Sequence, residues 1–293
     1  MDFGLILPSY RPGASVESID ATAEAAARLG WHSVFTTDHL LVEPSERSED
    51  YFHLFEALLT TVHVAARQPT LRVGVSVVVV PMRNAVELAK ELATIDALSG
   101  GRLIAGVGVG WNRIEFGNLG LSERFSRRGR YLDEAIDLWR HLWSGNEGPF
   151  EGGFHSFGDV RFSPLPPQGA RLPVWVGGRN EAALRRAGRL GDGYHSSASG
   201  HDQLAVRIPI IRAAAEEAGR PMPVLSARVR VHFGPHESPF YVIAGTPEQM
   251  VGEIRAFQEV GVSHLALDFA ETDPHAAVVL MERFDSEVAA SFR

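Results

Sequence analysis

The chain contains no cysteine. That excludes disulfides, thiol nucleophiles and thiolate metal sites from its fold and its chemistry. Lysine is almost as scarce. Lys and Arg together number 28, and Lys90 is the only lysine, which leaves 27 arginines. A GC-rich genome accounts for such a bias, but the consequence is chemical. An anion must be held by arginine, backbone N–H groups or helix ends, and Schiff-base chemistry would fall to Lys90 alone, in the middle of an expected helix. Long apolar runs are missing too, since none reaches the roughly 18 residues of a membrane span. The first residues, MDFGLILPSYRPG, lack a cationic start, so no signal peptide is expected. A formal charge of −8 argues against a nucleic-acid surface. The expectation is a soluble cytoplasmic protein with neither membrane nor nucleic acid as a partner.

What is present is a repeated alternation of strand and helix. At 293 residues and 45% hydrophobic, the chain is long enough for one large α/β barrel. The stretch Leu71 to Trp111 shows the unit most clearly. Val73, Val75 and Val77 to Val80 form a β-branched run suited to a strand buried on both faces, ended by Pro81. Leu88, Leu92 and Ile95 recur at helical spacing until Ser99-Gly100-Gly101. Leu103 to Val109 is a second buried strand, followed by Gly110 and Trp111. Elsewhere, strands are expected at 2–7, 33–37, 173–178, 192–197, 224–233 and 263–269. Ser15 and Thr246 serve as helix N-caps, and Pro247 takes the first helical position. Helices are read at 55–67, 127–143 and 181–190, with others after Ser197, Thr246 and His275. Eight strands alternating with eight helices predict a (β/α)8 TIM barrel over 1–293 as one domain. Residues 145–172, between the fourth helix and fifth strand, read as a hairpin excursion or partial lid across the barrel mouth.

Such barrels place their chemistry at the carboxyl ends of the strands. Strand two ends in Asp38-His39. The pair could be two ligands of a metal, but adjacent strand residues point to opposite faces, and no His-x-His or Glu/His pair supplies further donors. No metal centre is expected. Asp38 reads equally as a turn residue. His39 is the better proton carrier because its pKa lies nearest neutrality, although a lone histidine is also often structural. Gly108 and its neighbours suit a flat ring approaching the backbone, or tight packing alone. Gly177-Gly178-Arg179-Asn180 leaves N–H groups for a phosphate between a strand and a helix start; the other reading is a tight left-handed turn. Trp111 offers an apolar wall or part of the rim.

The segments SGGRLIAGVGVGW (99–111), LPVWVGGRNEAALRRAGRLGDGY (172–194) and AGTPEQ (244–249), in this order on such a barrel, resemble the luciferase-like family of flavin- and deazaflavin-dependent oxidoreductases. The resemblance runs from Phe3 to the last helix and is closest to members that use coenzyme F420, a 5-deazaflavin. It implies a homodimer that transfers hydride between F420 and a small organic substrate. Ser76-Val77 would be the non-prolyl cis peptide under the ring, and Asp38 and His39 the polar pair reaching cofactor and substrate. Gly108, Val109 and Trp111 would lie near the ring, and Gly177, Gly178, Arg179 and Asn180 would hold the phosphate. The resemblance also admits an FMN-dependent monooxygenase using O2. A carrier or sensor that binds flavin without turnover is the reading from another class. Sugar-phosphate dehydrogenases of the family hold substrate phosphate with lysines and carry a glutamate after the strand-four glycines, where this chain has Trp111. The implied substrate is therefore apolar or aromatic rather than a sugar phosphate.

Overall fold

The valine-rich runs become the staves of a closed ring. In the computed structural model, which describes residues 1–46 and 48–293, eight parallel strands follow in chain order. They are β1 (Asp2–Ile6), β2 (Ser33–Thr36), β3 (Arg72–Val75), β4 (Leu103–Gly108), β5 (Val174–Gly177), β6 (Gly193–Ser197), β7 (Val224–Phe233) and β8 (His264–Asp268). Each pairs with its successor, and β8 pairs back onto β1 with Asp2 opposite His264. Every residue of β4 is buried, as expected of a strand covered by helices outside and side chains within.

The helices are α1 (Val16–Arg28), α2 (Ala57–Arg67), α3 (Ala85–Leu98), α4 (Arg113–Asn118), α5 (Ser122–Trp143), α6 (Glu181–Leu190), α7 (His201–Glu217), α8 (Pro247–Glu259) and α9 (Pro274–Glu287). Ser15 and Thr246 both close capping boxes. Three details depart from the sequence reading. The third strand does not run unbroken to Val80. It stops at Val75, and a short strand at Val78–Val79 resumes pairing with β4 beyond a cis peptide between Ser76 and Val77. The fourth helix begins five residues earlier, at Ser122. The short α4 precedes it; its six residues carry too few apolar repeats to register as a helix in the sequence.

The excursion holds a two-stranded hairpin, Phe150–Glu151 with Ser156–Phe157. Its tip is fastened by the Glu134 carboxylate of α5, which accepts from the N–H groups of Gly153, Phe154 and His155. Lys90 of α3 donates to the Ser163 carbonyl, and Gln168 reaches Asp96 and the Leu103 carbonyl at the start of β4. These contacts lie on the outer helices and at the amino ends of the strands. The excursion is thus strapped along α3 and α5.

Inside the ring, the apolar core admits one polar column. Ser76 Oγ, His195, Ser226, His264 and Ser33 Oγ are joined by four consecutive hydrogen bonds of 2.8 Å. Burial holds both imidazoles below their ordinary pKa, His195 at about 3, so both are neutral.

Candidate active site

Just beyond β2 two adjacent side chains take opposite directions. Asp38 points toward the segment after the cis bond. One oxygen accepts from the Val79 N–H at 2.8 Å and the other from Arg83 at 2.7 Å, and Arg83 also holds Glu56. The Asp38 carboxylate is therefore committed on both oxygens. It joins the segment after β2 to the chain leaving β3.

His39 points the other way, into a wall made by Tyr51 and Trp111, with ring centroids 4.3 and 5.7 Å away. Its Nδ1 donates to Glu115 Oε2 at 2.7 Å. The other Glu115 oxygen accepts from the Leu40 and Leu41 N–H groups. Burial acts to raise the Glu115 pKa, but the His39 hydrogen bond and charge with the two backbone donors outweigh it and leave it below the ordinary value. The result is an ionised carboxylate that fixes the imidazole tautomer and leaves Nε2 without a hydrogen bond among the described residues. Glu115 was missed in the sequence. It lies four residues after Trp111, on α4, and Asn112 caps that helix through the N–H groups of Ile114 and Glu115. The pattern Asn-x-x-Glu after a glycine-rich strand end was the available signal. Glu115 does not occupy the Trp111 position; it reaches His39 from the helix that follows.

The glycines of β4 and β5 have a packing reason. A Cβ on Gly108 would lie 2.5 Å from Val77 Cγ2, and one on Gly177 would lie 3.0 Å from Val77 Cγ1. Both leave room for Val77, and Val109 packs at the edge of the main core. Gly178, at φ +137°, would meet Ala183 Cβ at 2.5 Å, so its lack of a side chain serves the turn onto α6. Asn180 caps that helix by accepting from the Ala183 N–H at 2.9 Å. Arg179 is exposed, and the N–H groups of Gly178, Arg179 and Asn180 enter no described hydrogen bond. They remain able to hold a phosphate at the positive end of α6. Among the described residues no cluster of acidic and histidine side chains could hold a metal ion, and no helix is long and apolar enough to cross a membrane.

The mouth thus offers an oriented imidazole, an aromatic wall and a helix-end anion site, which suit a bound aromatic redox group and proton transfer beside it. Comparison with known proteins agrees. Over 216 residues the chain is 32% identical to the F420-dependent glucose-6-phosphate dehydrogenase of Mycolicibacterium fortuitum, covering 72% of this chain and 61% of that protein. The fold matches the coenzyme F420-dependent tetrahydromethanopterin reductase of Methanopyrus kandleri, with TM-score 0.81, 19% identity and coverage of 100% and 99%. It equally matches the FMN-bound oxygenating constituent of 3,6-diketocamphane monooxygenase from Pseudomonas putida, with TM-score 0.81, 17% identity and coverage of 99% and 98%. The family model for luciferase-like monooxygenases matches residues 1–239. The chain is an oxidoreductase built on this barrel, and it belongs to the luciferase-like monooxygenase family.

Proposed function

We propose that the protein transfers a hydride between coenzyme F420 and a small organic substrate at the carboxyl end of the barrel. The observation that carries this reading is the His39–Glu115 pair, a buried imidazole oriented by an ionised carboxylate with its second nitrogen facing the aromatic wall. The N–H groups of Gly178, Arg179 and Asn180, with the Arg179 guanidinium, would hold the cofactor phosphate. When bound, the deazaflavin supplies the site that accepts or gives the hydride. His39 Nε2 gives or takes the accompanying proton, and Glu115 stabilises the imidazolium that results. Trp111 and Tyr51 keep water from that nitrogen. Asp38 has no proton to move in this scheme. The chain would act as a single barrel domain and as a homodimer.

A second reading follows from the FMN-bound structural neighbour: reduced FMN and O2 in place of F420. The two separate cleanly, because a deazaflavin has carbon at the ring position through which reduced flavin reacts with O2. Titrating the purified protein with F420 and with FMN in parallel, following cofactor fluorescence, decides between them. F420 affinity without oxygen uptake supports the first. Binding of FMN alone, with oxygen uptake on reduction, moves the assignment to the second. Binding without turnover of any offered alcohol, aldehyde or imine would favour a carrier.

A further inference from the structure

On one side of the mouth, arginines outnumber the carboxylates they meet. β7 is ten residues long, and alternation places Ser226, Arg228, Arg230 and His232 on one face. That face looks inward, since Ser226 bonds to the buried His195 and His264. Arg228 donates to the Ser76 carbonyl at 2.9 Å and to the Tyr10 hydroxyl at 2.6 Å. Arg11 donates to the same hydroxyl and to both oxygens of Asp268, at 2.9 and 2.8 Å. Tyr10 passes its own proton to a hydrogen bond with Asp268 Oδ2 at 2.8 Å. Burial raises the Tyr10 pKa above its ordinary value, so the phenol stays neutral and two guanidinium groups face one carboxylate. Further out, Arg230 shares the half-exposed Asp50 with Arg11, at 3.6 and 3.3 Å. Among the described residues, the ion pairs of Arg11, Arg228 and Arg230 are with Asp50 and Asp268 alone, three guanidinium groups against two carboxylates. The chain as a whole has the opposite sign, at −8.

Partly buried positive charge without a partner is costly, and an anion arriving from outside removes that cost. The cluster opens onto the same mouth as His39. Tyr51 stacks on Tyr10 at 5.8 Å and touches the His39 ring at 4.3 Å. One side of the space is therefore aromatic and the other cationic.

We propose that Arg228 and Arg230 bind an anionic group of the ligand, and that the substrate is an aromatic or apolar body carrying a carboxylate. This rests on the proposed function in taking the mouth as the substrate site, and it replaces the expectation of a purely apolar substrate. An anionic edge of the cofactor would use the same chemistry, so the test separates the two sources.

Benzoate and its neutral counterpart benzamide are titrated calorimetrically into the protein alone and into protein saturated with whichever of F420 or FMN it binds. The expected result is benzoate at least about tenfold tighter than benzamide in both states, the scale of one charge-assisted hydrogen bond. Arg230→Gln should lower benzoate affinity about tenfold and leave cofactor affinity unchanged. Arg230 lies outside the Tyr10–Asp268 hydrogen bonds, and a thermal melt confirms that the variant is folded. If Arg230→Gln weakens the cofactor and not benzoate, or if cofactor displaces benzoate, the anion belongs to the cofactor and the substrate assignment falls. Equal binding of the two probes, or of neither, also overturns it. Because cofactor affinity is read separately, a failure here with cofactor binding intact leaves the proposed function standing. Loss of all cofactor binding would remove that function instead.

Discussion

His39 and Asp38 are neighbours in sequence and strangers in role. His39 meets Glu115, an aromatic wall and open reach for Nε2, so His39→Ala should lower turnover about 10²–10⁴-fold in steady-state assays with the bound cofactor. Glu115→Gln should move turnover the same way with the imidazole still in place, because the charge that favours imidazolium is gone. Unchanged turnover in both variants would remove the pair from the mechanism. Asp38 belongs to stability. Its side chain is almost wholly buried against Arg83 and the Val79 N–H. Asp38→Ala leaves the Val79 N–H without its partner and Arg83 with Glu56 alone, and should cost about 3–5 kcal/mol in urea denaturation, the scale for half of a buried pair. A loss below about 1 kcal/mol would show that Arg83 finds full compensation in Glu56.

Among the elements, the turn from β5 to α6 shows how far a motif can be read. The glycine pair, the Asn180 cap and the bounds of α6 were all legible, since each rests on short-range chemistry. The reason for Gly178 was not, because it depends on where Ala183 lies. Gly178→Ala should destabilise the protein by about 1–3 kcal/mol, from the φ of +137° and the crowding against Ala183. Adding Ala183→Gly should recover part of this by relieving the crowding, while the backbone strain stays; melting curves of the single and double variants measure both. No recovery at all would place the whole cost in the backbone. Such a glycine cannot by itself test a phosphate site, whereas Arg179→Ala, on an exposed side chain, can. β7 and the caps at Ser15 and Thr246 were equally plain in the sequence, because periodicity and capping are local. The break in β3, the strap position of 145–172 and the meeting of His39 with Glu115 were not. Each is decided by partners 20 to 80 residues away, which no local pattern carries.

For the whole molecule, the ring of strands encloses ionisable groups that must stay neutral. His195 titrates at about 3 when folded, against an ordinary 6.5, and His264 also lies well below that value. Below about pH 6.5 the unfolded chain takes up these protons and the folded chain does not, so stability falls as pH drops from 6.5 toward 3. Each such histidine contributes up to about 1.4 kcal/mol per pH unit. The depressed carboxylates Glu115 and Asp268 add their losses only at lower pH, as each falls through its own reduced pKa. Urea midpoints between pH 7 and 4 should therefore decline steadily; a flat profile over that range would mean that the imidazoles protonate without unfolding the barrel. The same column has a further property. Each of its three serine hydroxyls carries one proton and each of its two neutral rings one N–H. Two of the proton orders that make every link run in one sense, toward Ser33 or toward Ser76. A third has both rings donate to the two lone pairs of Ser226 while Ser33 and Ser76 donate to the rings. In one sense the Ser76 oxygen presents its lone pairs to the mouth, and in the other its proton is released from the column and can be offered outward. In either one-way order the barrel interior is polarised end to end, and reversing it exchanges acceptor for donor beneath the binding site without moving a backbone atom.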